Sequence, residues 1–364
     1  MKVGLITVHV GTNFGSVLQT IATAKILSDL GNEVEVINYV PPRTTISGYI
    51  RDRKGFSAKA KAMASLPIMG LNKSIYGGFL KKHTKLTREF YKKEDIGKNL
   101  RYDAYIIGSD QVWNSIHNQG IDLVYYLDFN SPGKHISFSS SFGRENCPLV
   151  EFEKVKELLS SFSHISARED TGVKLLKEMG FENTIQTIDP TFLLDRYEWL
   201  KMASKRQVED PYLLVYTPYN VKDKELIFGA AREIGAKRNL KVVTFGWDVR
   251  KEPLADQTML FSSPADFLSL MQYADVVITN SFHGTAFSVI LNKQFVVFSP
   301  SHFSTRISSL LELTGLENRH VANIREADII LAQTIDYTEI NRIIEHERDR
   351  AIRYLENALT TDKG

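Results

Sequence analysis

Short β-branched apolar runs alternate with longer segments of helical spacing along most of the chain. Residues 2–8 form the first such run, with turn chemistry after it at Gly11, Thr12, Asn13, Phe14 and Gly15. Asn13 or Ser16 is placed to cap a helix that runs to Leu30, with Gly31 just beyond its end. The alternating run 33–39 predicts the next strand, and Pro41-Pro42 stops it. Further buried strands are predicted at 102–108, 135–140, 164–166 and 184–188. Helices are predicted at 151–162 and 171–179. The run 195–210 changes character and reads as a linker. A second series then begins, with strands at 212–217, 240–245, 274–279 and 295–298, and helices at 222–237, 264–272, 284–291 and 306–313. A long final helix is predicted over 338–359, where Ile340, Ile344, Ala351, Leu355 and Ala358 fall on one face.

A strand–helix–strand opening implies parallel pairing. Two βα series of similar size therefore predict an α/β protein of two Rossmann-like, doubly wound domains: 1–195 first, 211–337 second, and 338–364 as a helix packing back across them. Ligands of such sheets sit outside the carboxyl ends of the strands, here expected in the cleft between the domains. At 364 residues the length suits two domains. A composition of 43% apolar and 24% charged residues excludes a disordered or fibrous chain.

Cys147 is the single cysteine, so no intrachain disulfide forms and a reducing compartment is expected. No Cys/His spacing suggests a metal, and none is expected. The N-terminal run has no cleavage-like segment after it, and no stretch approaches the ~18 apolar residues of a membrane span. A cytoplasmic location is the expectation. Net charge is only +2, but residues 43–101 hold 15 Lys/Arg against four Asp/Glu, which leaves the remainder acidic. That asymmetry points to a local anionic partner rather than to nucleic acid. Residues 56–80 within it are expected to form one or two helices with a basic and an apolar face.

Four polar loops follow predicted strands. At the first, His9, Asn13 and Gly15 lie where free backbone N–H groups favour an anion or a polar group, although the loop is neither GxGxxG nor a Walker loop. An ordinary βα turn and a structural histidine are equally plain readings. At the second, residues 108–114, Asp110, Gln111 and Asn114 offer hydrogen bonds to hydroxyls and Trp113 a surface for stacking on a sugar ring; the alternative is that Trp113 is core and Asp110 a cap. At the third, Arg168 is a fork for carboxylate or phosphate, or a salt-bridge partner of Glu169 or Asp170. At the fourth, His283 opens a helix, where the dipole lowers and a bound phosphate raises an imidazole pKa. Arg306 opens another helix and offers a second cation. Isolated cations, one histidine and helix N-termini suit an anionic donor.

GTNFGSVLQ near the start, YDAYIIGSDQVWN, SARED, DPTFLL and NSFHGTAFSVI occur in that order. Together they resemble the polysaccharide pyruvyl transferase family over roughly residues 1–315. The resemblance implies a fold like the two-Rossmann-domain glycosyltransferase architecture called GT-B. It also implies transfer of the enolpyruvyl carbons of phosphoenolpyruvate onto two hydroxyls of a saccharide as a ketal, in cell-surface or exopolysaccharide synthesis. No cofactor is implied. The family's essential Arg falls on Arg168, its His on His283, and a later basic residue near Arg306, where some members have Lys. Ser281, Gly284 and Thr285 are then donor-binding candidates. His9, Asn13, Gly15, Gln19, Asp110, Gln111 and Trp113 are acceptor-binding candidates. Acceptors in such enzymes are often lipid-linked oligosaccharides made at the inner membrane face, which gives the basic segment 43–101 an anionic membrane to rest on; a solvated helical excursion is the plainer alternative.

Two other functions share the scaffold: a GT-B nucleotide-sugar glycosyltransferase and a non-catalytic saccharide-binding protein. An NAD-dependent enzyme is disfavoured by the missing GxGxxG and acidic ribose partner.

Overall fold

The computed structural model describes residues 1–360 apart from 54, 131, 219–223, 247–248 and 299–304. The chain divides into two compact units: Met1–Leu193 with Glu347–Gly364, and Leu194–His346.

The first unit carries β1 (Lys2–Ile6), β2 (Glu33–Val36), β3 (Ala104–Ile107), β4 (Lys134–Ser137), β5 (Ser166–Ala167) and β6 (Ile185–Gln186). The first four form a parallel sheet in the order β2-β1-β3-β4. The β5–β6 pair extends it through parallel bridges Ile136↔His164 and Ser140↔Ala167. The order 2-1-3-4 is that of flavodoxin-like sheets, which reverse direction between β1 and β3. Helices α1 (Phe14–Asp29), α2 (Ile46–Arg51), α3 (Phe56–Ala64), α4 (Leu66–His83), α5 (Lys93–Asn99), α6 (Ser115–Asn118), α7 (Leu149–Leu159) and α8 (Asp170–Glu178) complete the unit. Helix α1 is buried on nearly every face, in keeping with its Ile, Val, Leu, Ala and Thr content. The core joins Tyr105, Ile107, Trp113, Tyr125, Phe142 and Leu159.

The second unit carries β7 (Tyr212–Tyr216), β8 (Lys241–Phe245), β9 (Gln257–Met259), β10 (Val276–Thr279), β11 (Gln294–Phe298) and β12 (His320–Val321). All six are parallel, in the order β9-β8-β7-β10-β11-β12. Counted within the unit this is 3-2-1-4-5-6, the Rossmann order, which switches direction between β7 and β10. Its helices are α9 (Arg196–Met202), α10 (Lys224–Arg238), α11 (Pro264–Tyr273), α12 (Phe282–Ile290), α13 (Thr305–Thr314) and α14 (Ile324–Leu331). Helix α15 (Tyr337–Leu359) belongs to this unit up to His346 and to the first unit thereafter.

The segment 195–210 is not a linker. Asp195 caps α9 by accepting from the Glu198 N–H at 2.8 Å, and Trp199 is fully buried edge-on to Phe287 at 5.2 Å. Beyond the helix, the Ser204 N–H donates to the Ala265 carbonyl and Arg206 stacks over Tyr273. Charged residues around two buried apolar ones, Trp199 and Val208, conceal this packing from a hydropathy reading. The start of the helix expected at 222 lies outside the described residues.

Candidate functional site

At the switch point of the second unit, the Thr279 hydroxyl donates to the Tyr216 carbonyl at 2.7 Å and accepts from the Ser281 N–H at 3.1 Å. It thereby ties the ends of β7 and β10 together just where α12 begins. Ser281 is extended and caps α12, its hydroxyl accepting from the Gly284 N–H at 3.4 Å. Gly284 is dictated by space: a Cβ there would stand 3.0 Å from both the Thr279 Cβ and the Tyr216 Cδ1, and closer still to the Thr279 hydroxyl. The Thr285 hydroxyl donates to the Ser281 carbonyl at 3.0 Å and is wholly buried, so it serves the helix, contrary to its expected donor-binding role.

His283 follows in the first turn of α12, 4% exposed, its ring edge-on to Phe282 at 5.1 Å. The guanidinium of Arg306, from the first turn of α13, lies over the Phe282 ring at 5.7 Å. One phenyl ring therefore adjoins both the imidazole and the cation. Asn280, buried just before the cap, has no hydrogen-bond partner for its amide oxygen or nitrogen among the described residues. Leaving such a group unsatisfied costs about 1–3 kcal/mol. Its only sequence signal was its place in the NSFHG loop. The N-terminus of α12, the imidazole and the guanidinium together suit an oxyanion and a proton transfer.

At the switch point of the first unit, the Thr7 hydroxyl donates to the Ser109 carbonyl at 2.7 Å, and the Gln19 amide donates to the Thr7 hydroxyl at 2.9 Å. Ser16, in the first turn of α1, donates to the Asp110 carboxylate at 2.5 Å. Asp110 has φ 74°, a left-handed backbone uncommon outside glycine, asparagine and aspartate. Arg168 is 5% exposed and donates to the Asp189 carboxylate at 2.7 Å and to the Ser109 hydroxyl at 3.3 Å. Glu169 stands 3.7 Å and Asp110 3.9 Å from other guanidinium nitrogens. Burial acts to lower the Arg168 pKa, but the carboxylates of Asp189, Glu169 and Asp110 outweigh it and raise the value. Glu169 is itself held by the Ser141 hydroxyl and the Gly143 N–H. Glu169 was foreseen as a salt-bridge partner of Arg168, whereas Asp189, Ser16 and Ser109 were missed, although Asp189 stood in the DPTFLL run.

The other residues expected to bind an acceptor divide clearly. Trp113 is 1% exposed; its indole N–H donates to the Tyr125 carbonyl, and Phe142 packs against its ring. It is core and offers no face for a sugar. Gln19 is fully buried and pins α1 to β1, so it is structural too. Gln111 is buried and accepts from the Asn114 amide at 2.6 Å. Asn13 is exposed and caps α1 through the Ser16 N–H, while Gly15 is buried in the first turn. His9 is buried, with Nδ1 donating to the Thr7 carbonyl at 2.9 Å and Nε2 at 3.1 Å from the Asn38 side chain. Burial lowers its pKa, against the raising effect of those two contacts. Among the described residues no group of three His, Cys, Asp or Glu side chains is arranged to hold a metal ion.

Residues 13–302, a span that includes residues 108–114 and 280–285, match the profile of polysaccharide pyruvyl transferases. The chain belongs to the polysaccharide pyruvyl transferase family. Arg168 and His283 fall inside the matched span, and Arg306 lies four residues beyond it. No curated protein sequence matches the chain.

Solved structures similar to this pyruvyl transferase family member share little sequence with it. The S. aureus MnaA–UDP co-structure is 13% identical, covering 99% of this chain and 98% of its own, with a TM-score of 0.54. Methanocaldococcus jannaschii UDP-GlcNAc 2-epimerase in complex with UDP-GlcNAc and UDP is 13% identical, covering 95% and 99%, with a TM-score of 0.53. Arabidopsis thaliana UGT89C1 complexed with UDP-L-rhamnose is 10% identical, covering 98% and 97%, with a TM-score of 0.51. These likenesses show the fold, two Rossmann-like units of the GT-B class, and nothing of the substrate.

Proposed function

We propose that this chain transfers pyruvate from phosphoenolpyruvate to a saccharide as a ketal, releasing phosphate. The observation that carries the reading is His283 in the first turn of α12, at the switch point of a Rossmann sheet, with Arg306 over the neighbouring Phe282. Phosphoenolpyruvate has a carboxylate and a phosphate. Arg306 and the N–H groups opening α12 bind its anionic groups, and Ser281 and Gly284 shape that helix start.

The enol methylene takes a proton, which leaves an oxocarbenium-like centre at C2. One sugar hydroxyl adds its oxygen to C2, the bond from C2 to the phosphate oxygen breaks, and a second hydroxyl of the same sugar closes the ketal. Of the two hydroxyl protons, one ends on the methyl carbon and the other on phosphate. His283 is the proton-transfer group of this sequence. Arg168 is the cation of the first unit; it acts by holding Ser109 and Asp110, which with His9 and Asn13 form the acceptor side. The product belongs to cell-surface polysaccharide synthesis, with a lipid-linked oligosaccharide as one acceptor class.

Calorimetric titration with phosphoenolpyruvate, with UDP and CMP as controls, tests the reading. Saturable phosphoenolpyruvate binding that Arg306→Ala weakens is expected. With an acceptor library, phosphate release that His283→Ala lowers by at least 100-fold is expected. UDP binding without phosphoenolpyruvate binding would instead make the chain a nucleotide-sugar enzyme. Unchanged saccharide affinity in His283→Ala with no turnover in either protein would make it a binding protein.

A further inference from the structure

Residues 53–88 contain nine Lys/Arg and no Asp or Glu. Most of this stretch is folded as α3 and α4. On α3, Phe56, Ala60 and Met63 recur at helical spacing on one face, while Ala62 is buried on the other. Phe56 is 90% exposed and Met63 59%, and Leu71 of α4 is exposed as well. The face opposite the core is therefore apolar rather than polar, the reverse of an ordinary surface helix. Lys59, Lys61, Lys81 and Lys82 are all exposed and make no ion pair among the described residues. Lys73 and Lys85, by contrast, are tied to Glu89 and to Glu33 and Glu35. No described helix is long and apolar enough to cross a membrane.

We infer that α3 together with α4, whose last turn carries Lys81 and Lys82, forms a docking surface for an anionic lipid membrane, with Phe56 and Met63 entering the interface and Lys59, Lys61, Lys81 and Lys82 meeting the headgroups. Charge complementarity supplies the sign of the partner. The exposed phenyl and thioether side chains supply its class, since a soluble polyanion offers them nothing, whereas a membrane interface takes up apolar area beside lysine. The inference stands apart from the proposed reaction: a variant that loses the membrane keeps its turnover on a soluble acceptor.

The test is sedimentation of the full chain with phosphatidylglycerol–phosphatidylcholine vesicles, with pure phosphatidylcholine as control. Binding to the anionic vesicles alone, weakened by salt, is expected. At about fivefold per lysine near an anionic surface, K59Q/K61Q/K81Q/K82Q is expected to lose at least ~20-fold in partition after screening. Phe56→Ser with Met63→Ser is expected to weaken binding while leaving its salt dependence. Phe56→Trp, at so exposed a position, is expected to shift its fluorescence to shorter wavelength with anionic vesicles only. No pelleting of the wild type would overturn the inference. So would retained pelleting in the lysine variant, or heparin binding that equals vesicle binding and ignores Phe56 and Met63.

Discussion

Gly284→Ala is a one-carbon perturbation whose cost follows from the contacts around it. The added methyl meets the Thr279 side chain and the Tyr216 ring, both at or inside 3.0 Å. Thr279 cannot rotate away freely, because its hydroxyl bonds the Tyr216 carbonyl and the Ser281 N–H. Overpacking of this kind costs about 1–3 kcal/mol, and losing one of those hydrogen bonds adds about 1 kcal/mol. The expected total is ~2–4 kcal/mol in urea unfolding. In a Thr279→Ala background the hydroxyl is gone and the same substitution is expected to cost at least 1 kcal/mol less, a coupling that a double-mutant cycle reads directly. Turnover is also expected to fall in Gly284→Ala, since relief of the clash moves the helix turn that carries His283. A cost below 0.5 kcal/mol, or an equal cost in both backgrounds, would refute the packing argument.

Two further perturbations address the first unit. Arg168→Ala leaves Asp189, Glu169 and Asp110 buried without their cation and is expected to cost about 3–5 kcal/mol in urea unfolding, with Asp189→Asn restoring part of it; a loss under 1 kcal/mol would show the cluster to be otherwise compensated. His9 is buried with a lowered pKa, as are His83 and His135 to lesser burial. The unfolded chain takes up protons through about pH 6.5 while the native imidazole stays neutral, so their stabilisation is complete above that pH and is lost as pH falls below it. The slope is at most ~1.4 kcal/mol per pH unit per histidine. Urea midpoints at pH 7.5 and 5.5 are expected to differ less in His9→Gln than in the wild type.

The strands and helices that position the site were legible because their burial is two-sided. Parallel sheets bury both faces, so residues 212–216 and 276–278 appear as unbroken apolar runs. The two edge strands of the second unit were not: β9 is the half-buried Gln257–Met259, and β12 is two residues long. His283, Arg168 and Arg306 stood out as chemical types at strand ends. Whether a neighbour faced the loop or the core did not. Trp113 shares the loop of Asp110, and Gln19 lies on the helix that Asn13 caps; only packing in three dimensions separates core from rim. The carboxylates around Arg168 lie up to 58 positions from it, beyond the reach of local spacing.

The return of α15 has a consequence for how the chain is made. From Glu347 on, its residues belong to the unit that starts at Met1: Ala351, Leu355 and Ala358 are fully buried, Tyr354 donates to the Ser137 carbonyl at 2.7 Å, and Arg348 donates to the Phe192 carbonyl at 2.8 Å. The second unit, in contrast, is one uninterrupted stretch of chain. Domains ordinarily fold in the order of synthesis. Here residues 1–193 have to wait for residues 347–359, which are translated only after the whole of the second unit. The first unit is therefore the later of the two to mature, and its sheet goes without its final helix until the second unit has been made.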